Sequence, residues 1–116
     1  MKYLVGETTG GTAVFAVMGQ EAVNLTALDG TVGSDLMALI GDPALAESVT
    51  AKIDGATRVS VASITPALPV AAPGTIICVG LNYTDHIKEG GYEIPDYPAL
   101  FMRGKNSIMA AGAPLV

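Results

Sequence analysis

Between Ile64 and Gly74 stand three prolines, Pro66, Pro69 and Pro73. Each fixes its own φ and lacks an N–H, so the stretch resists both a helix interior and a central strand. Whatever the chain folds into must be assembled on either side of that stretch. The sequence therefore predicts a small domain over 1–64, a proline-rich linker over 65–74 and a second domain that begins at 75.

Ahead of the prolines, the pattern is that of strands followed by helices. Lys2 to Val5 leads to a Gly10-Gly11 turn signal, and Thr12 to Met18 is a β-rich apolar run. Gly19-Gln20 and a third apolar stretch from Ala22 to Leu25 complete a predicted β-meander. Asp29-Gly30 breaks the pattern, after which Ser34-Asp35 offers an N-cap and an acidic first turn for a short helix ending at Gly41. Asp42-Pro43 repeats the start signal, because proline at the first helical position gives up no needed N–H. Leu45, Val49 and Ile53 recur every four residues as one apolar stripe. Two short helices packed on the meander are expected, and no internal repeat is visible.

Beyond the prolines, Thr75 to Leu81 is a continuous apolar run, the pattern of a strand buried on both faces. Asn82 to Glu89 follows as a helical turn, capped by Asn82 or Thr84 and stopped by Gly90-Gly91. A polar loop with Pro95 and Pro98 leads to a strand at Ala99-Leu100-Phe101-Met102, and one more apolar stretch runs to Val116. A strand buried on both faces needs neighbours on both sides, and Thr75 to Val116 has room for about three short strands. The second domain is expected to be incomplete, and the fold class is α+β.

Half of the residues are apolar and 15% are charged, which suits a globular core and not disorder. The net charge of −5 and six scattered basic residues argue against nucleic acid, whose phosphates demand clustered Lys and Arg. A mean hydropathy of +0.48 raises the question of a membrane segment. No apolar run approaches the roughly 20 residues of a bilayer span, and the opening Met1 to Glu7 is too short for a signal-peptide core. A cytoplasmic protein with an unprocessed start and no membrane partner is expected. The lone cysteine, Cys78, excludes an intrachain disulfide and suits a reducing compartment.

Chemistry-bearing residues crowd into the string VGLNYTDHIKEGG. His86 is the single histidine, and Glu89 three positions later shares its face of a helical turn. An imidazole beside a carboxylate has a fixed tautomer and raised basicity, as proton abstraction requires. The same spacing equally describes a solvated surface ion pair. Asp85 points elsewhere on the turn, towards Lys88, and Asp85, His86 and Glu89 together lack the spacing of known zinc motifs. Cys78, inside an apolar strand, reads as a small packed hydrophobe. Neither G-x-G-x-x-G nor G-x-x-x-x-G-K-[ST] occurs, so no nucleotide site is inferred. Arg103 at a strand end could clamp a carboxylate in bidentate fashion or lie on the surface.

The stretch from Ile76 to Glu89, with its Gly-x-Asn-Tyr-x-x-His-x-x-Glu pattern, and the later Pro95 and Pro98 to Arg103 segment resemble the opening of the fumarylacetoacetate hydrolase catalytic domain. Residues 1–70 resemble, more loosely, the small domain that precedes it in many bacterial members. The resemblance implies a mixed β-sandwich roll, truncated here, which holds Mg²⁺ or Mn²⁺ through a Glu-x-Glu motif and a later Asp. It implies that His86 is a general base oriented by Glu89, with Tyr83 and Arg103 as substrate contacts. Many members have Lys-Pro where this chain has Arg103-Gly104, and no Glu-x-Glu occurs, so the metal ligands are expected beyond Val116. The implied parent is a homodimeric, metal-dependent hydrolase, decarboxylase or isomerase of small 2-oxo or 1,3-dicarbonyl acids. The 116 residues alone are expected to be inactive and to bind no metal. A non-catalytic binding or assembly module is the alternative.

Overall fold

The computed structural model describes residues 1–114. The chain divides into two compact units, one of residues 1–71 together with the segment from 109, the other of residues 72–108.

In the first unit, β1 (Lys2–Thr8), β2 (Gly11–Met18), β3 (Glu21–Asn24) and β4 (Arg58–Ser60) form an antiparallel sheet in the order β1-β2-β3-β4. Thr8 pairs with Gly11 and Met18 with Glu21, leaving two-residue loops. Gly19 takes φ 66 in the second loop, the left-handed geometry that matches such a turn to strand twist. The expected meander is thus present and gains β4, which pairs Arg58 with Val23.

β2 explains itself by burial. Ala13, Val14, Phe15 and Ala16 are all buried, because both faces of the sheet are covered. Val14 and Ala16 join Val5, Val23, Leu25, Val32, Leu39, Val49 and Ile53 in the main core. Ala13, Phe15 and Ala22 form a second cluster with Leu4, Val17, Val61 and Ile64. Each fully buried Val or Leu contributes about 1.5–3 kcal/mol relative to exposure.

Three helices carry the main core's other half: α1 (Leu25–Leu28), α2 (Met37–Gly41) and α3 (Pro43–Thr50). The third apolar stretch is a strand only to Asn24, whose side chain accepts from the Ala27 N–H at 2.9 Å and turns the chain into α1. Thr26 then replaces the missing strand, its hydroxyl accepting from Val14 N–H at 3.0 Å and donating to Gly33 O at 2.6 Å. α2 begins later than Ser34-Asp35 suggested, although Asp35 does accept from Met37 N–H at 3.0 Å. α3 starts as expected, with Pro43 in its first turn and Asp42 accepting from Ala44 and Leu45 N–H. Asp42→Ala should cost about 1 kcal/mol of stability, since it orphans both donors. Denaturant unfolding of variant and wild type would check this, and an unchanged midpoint would refute the cap.

The proline-rich stretch is fastened to the first unit up to Ala71. Glu7 N–H donates to Thr65 O at 2.9 Å, Ala67 N–H to Val5 O at 2.8 Å and Leu36 N–H to Pro69 O at 2.9 Å. Ala71 N–H donates to Asp35 at 3.2 Å. Proline suits this role, since the edge of a sheet asks only for carbonyls and selected N–H groups. Gly6 lies beneath it, where a Cβ would run into Ile64 and stand 3.2 Å from Thr65 O.

Asp29 sits in a strongly perturbing electrostatic environment. Its carboxylate accepts from the Thr31 hydroxyl at 2.7 Å, pairs with Lys52 at 3.0 Å and accepts from Thr31 N–H at 3.1 Å. These contacts, Thr31's hydroxyl foremost, hold its pKa at about 2 against an ordinary value of 3.8. A depressed carboxylate stabilises the fold fully above its unfolded pKa and stops doing so as pH falls through its folded one. Acid titration should therefore show a loss of stability between about pH 4 and pH 2 that Asp29→Asn flattens. Thermal melts across that window would read it, and parallel curves would refute it.

In the second unit, β5 (Ile76–Gly80) pairs antiparallel with β6 (Ala99–Arg103), and α4 (Thr84–Glu89) lies between them in sequence. β5 is not buried on both faces. Ile76, Cys78 and Gly80 are half-buried, while Ile77 is 64% and Val79 47% exposed. Their partners Met102 and Leu100 are exposed too, so this two-stranded sheet presents one apolar face without a second layer among the described residues. Cys78 is accordingly half-buried and not a core thiol. The end of the last apolar stretch, Leu115 and Val116, lies outside the described residues.

Candidate functional site

β5 delivers the chain to the site through Leu81, whose φ of 52° is the one positive value among described non-glycine residues. A leucine held in the left-handed region costs about 1–3 kcal/mol and persists only where the surroundings impose it. It turns the backbone out of the strand at Asn82 and into α4. The expected cap is absent: Tyr83 occupies the N-cap position, and no side chain accepts from the first turn. What holds α4 is its other end. Gly91 takes φ 68, its N–H donates to Lys88 O at 3.1 Å, and Tyr92 N–H donates to Ile87 O at 3.0 Å. This paired closure needs glycine at the left-handed position, which is why Gly90-Gly91 stops the helix.

α4 carries His86 and Glu89 on one face, both exposed, while Ile87 is buried at 5% exposure. Among the described residues no hydrogen bond or ion pair joins His86 to Glu89, or Asp85 to Lys88. Tyr83 stands at the mouth of the helix and is 73% exposed. Arg103 is placed apart from these three. It pairs with Ile76, whereas the chain enters and leaves α4 beside the Gly80–Ala99 pair at the opposite end of the ladder. Four residues of strand separate those ends by about 13 Å. The Arg103 guanidinium stands 6.0 Å from the centroid of the Phe101 ring, a cation–π contact.

Under α4 lies a cleft of about 370 Å³ whose walls are Val79 to Asn82, Thr84 and Ile87 on one side and Ile94 to Pro98 on the other. Thr84 and Ile87, three apart, face into it, which puts His86 and Glu89 on the helix's outer flank. The sequence assigned Asn82 and Thr84 only a capping role and left Asp96 and Tyr97 unremarked. The signal for the latter pair was Pro95-Asp96-Tyr97-Pro98, an acid and an aromatic bracketed by two residues of fixed φ.

A metal needs several converging donors. Among the described residues no three of His, Cys, Asp or Glu stand close enough to hold an ion, so these residues do not by themselves form a metal centre. No described helix is long and apolar enough to cross a membrane.

No family model matches the chain. It is 34% identical over 83 residues to the mitochondrial oxaloacetate tautomerase Fahd2a of Rattus norvegicus, covering 59% of this chain and 26% of that protein. It is 32% identical over 98 residues to the 2,4-didehydro-3-deoxy-L-rhamnonate hydrolase of a Sphingomonas species, covering 81% of this chain and 33% of that one. The structure of an HpcE-like protein from Mycobacterium smegmatis superposes with a TM-score of 0.64 at 23% identity, over 93% of this chain and 38% of the other. That likeness establishes the fold. The chain spans a third or less of the length of these two curated relatives.

Proposed function

This chain belongs to the fumarylacetoacetate hydrolase family over the part that aligns, and from that premise we propose that the full-length protein is an enzyme of small 2-oxo or 1,3-dicarbonyl acids. Two relatives that align with it are a tautomerase and a hydrolase, both acting on small acids by name. The observation that carries the reading is α4, which sets the chain's single histidine and Glu89 on one exposed face of a rigidly terminated turn beside a cleft.

In this reading His86 takes a proton from the substrate carbon next to its carbonyl, or from a water molecule. Glu89, one helical turn along, orients the ring and stabilises the imidazolium once formed. The open geometry suits a pair that tightens only around bound substrate. Tyr83, at the mouth of the helix, would contact that substrate. Arg103 is proposed as a carboxylate contact, although its place at the far ladder end requires a long substrate or a rearrangement. Mg²⁺ or Mn²⁺ would supply Lewis acidity in the complete protein, and residues other than those described here would have to complete its site. A homodimer in the cytoplasm is the proposed setting.

The test is turnover by the full-length protein of an acylpyruvate, followed by loss of its enol absorbance, and of oxaloacetate, followed by keto–enol exchange. Activity on either is the expected result. Inactivity on both, with the protein folded and divalent metal supplied, would favour a non-catalytic assembly module.

A further inference from the structure

Besides Leu81, the described residues with a positive φ are Gly11, Gly19, Gly33, Gly91 and Gly112, all glycines. A Cβ at any of these glycines would meet nothing within 4 Å, so glycine stands there for its backbone and not for want of room. Leu81 is the exception. Gly80, which could take the left-handed turn without steric cost, stands one position earlier as ordinary strand. A leucine at φ 52 is therefore kept where glycine would be easier, and what it adds over glycine is its side chain.

That side chain is half-buried and lines the cleft together with Thr84 and Ile87 on the inner flank of α4. Of the described residues from 72 to 108, Ile87 alone is buried, and no side chain caps the front of the helix. With its C-terminal end closed by Gly91 and its front uncapped, α4 depends for its orientation on the apolar groups beneath it. We infer that Leu81 is a positioning residue: its side chain, aimed under the front of α4 by the left-handed backbone, fixes the angle at which the outer flank presents His86 and Glu89. This role rests on the activity proposed above and adds to it a residue that acts through the helix and not on the substrate.

The experiment compares Leu81→Gly and Leu81→Met with wild type in the full-length protein, on whichever of the two acids above it turns over. Glycine keeps the backbone turn and removes the side chain, whereas methionine, also unbranched at Cβ and of similar volume, keeps both. Leu81→Gly should lower kcat about 10–100-fold, as a misplacement of the reacting groups by about 1 Å does, with KM changed much less. It should not melt below wild type, because relief of the left-handed strain offsets the lost apolar contact. Leu81→Met should recover kcat to within about threefold of wild type. Amide exchange over α4 should quicken in Leu81→Gly and return to the wild-type rate in Leu81→Met. Unchanged kcat and exchange in Leu81→Gly overturn the positioning role while the proposed activity stands. So does a raised KM with kcat intact, which makes Leu81 a substrate contact, or a kcat that falls only in step with the melting temperature, which makes it an ordinary packing residue. Turnover of neither acid by wild type removes the activity, and the positioning role with it.

Discussion

Replacing His86 with alanine in the full-length protein is expected to lower kcat by about 10²–10⁴, the usual contribution of a positioned acid–base group. His86 is the chain's only histidine, and histidine is the side chain whose ordinary pKa lies nearest neutrality. α4 gives it an exposed position and a carboxylate three residues along, on a turn whose C-terminal end is locked by the Gly91 and Tyr92 N–H groups. Glu89→Gln should be milder, since the amide still accepts a hydrogen bond but cannot offset the charge of an imidazolium. The pair of substitutions therefore distinguishes base from orienter. Wild-type kcat in the His86→Ala enzyme on its best substrate would leave the histidine a surface residue without a catalytic part.

Truncating Leu25 to alanine should destabilise the first unit by about 2–5 kcal/mol. Leu25 is fully buried, and it begins α1 at the point where the chain stops pairing with β2 and folds over the sheet. Its side chain belongs to the core shared by Val14, Val32 and Val49, so the void has walls on several elements and little freedom to collapse. For a unit of this size each kcal/mol lowers the melting temperature by about 4–8 °C. Ile40→Ala is the matched control, because Ile40 is 64% exposed and its truncation should stay within about 0.5 kcal/mol. A Leu25→Ala protein that melts with wild type would show that Leu25 is not part of a close-packed core.

What could be read from the sequence was what is local in the structure. Asp42-Pro43 announced α3 because a cap and its donors lie within three residues, and Gly90-Gly91 announced the end of α4 for the same reason. β4 escaped notice because three residues carry no period, and what makes them a strand is pairing with β3 across more than thirty residues of chain. β5 is legible as a strand from Ile-Ile-Cys-Val alone, but which of its faces is covered depends on neighbours that no local pattern describes. The site divided in the same way. His86 and Glu89 were visible as an i, i+3 pair, whereas the cleft forms only when residues 79–87 meet residues 94–98 in space.

The antiparallel order β1-β2-β3-β4 also bears on how the protein is made. Hairpins with two-residue loops close over short spans at little entropic cost, and every buried residue of the two core clusters precedes Ile64. On a ribosome that releases the chain from its N-terminus, the residues of this sheet emerge before β5 does. β5, with its exposed apolar residues, thus emerges when the strands of the first sheet are already available to one another, with the edge of β1 taken by Thr65 and Ala67.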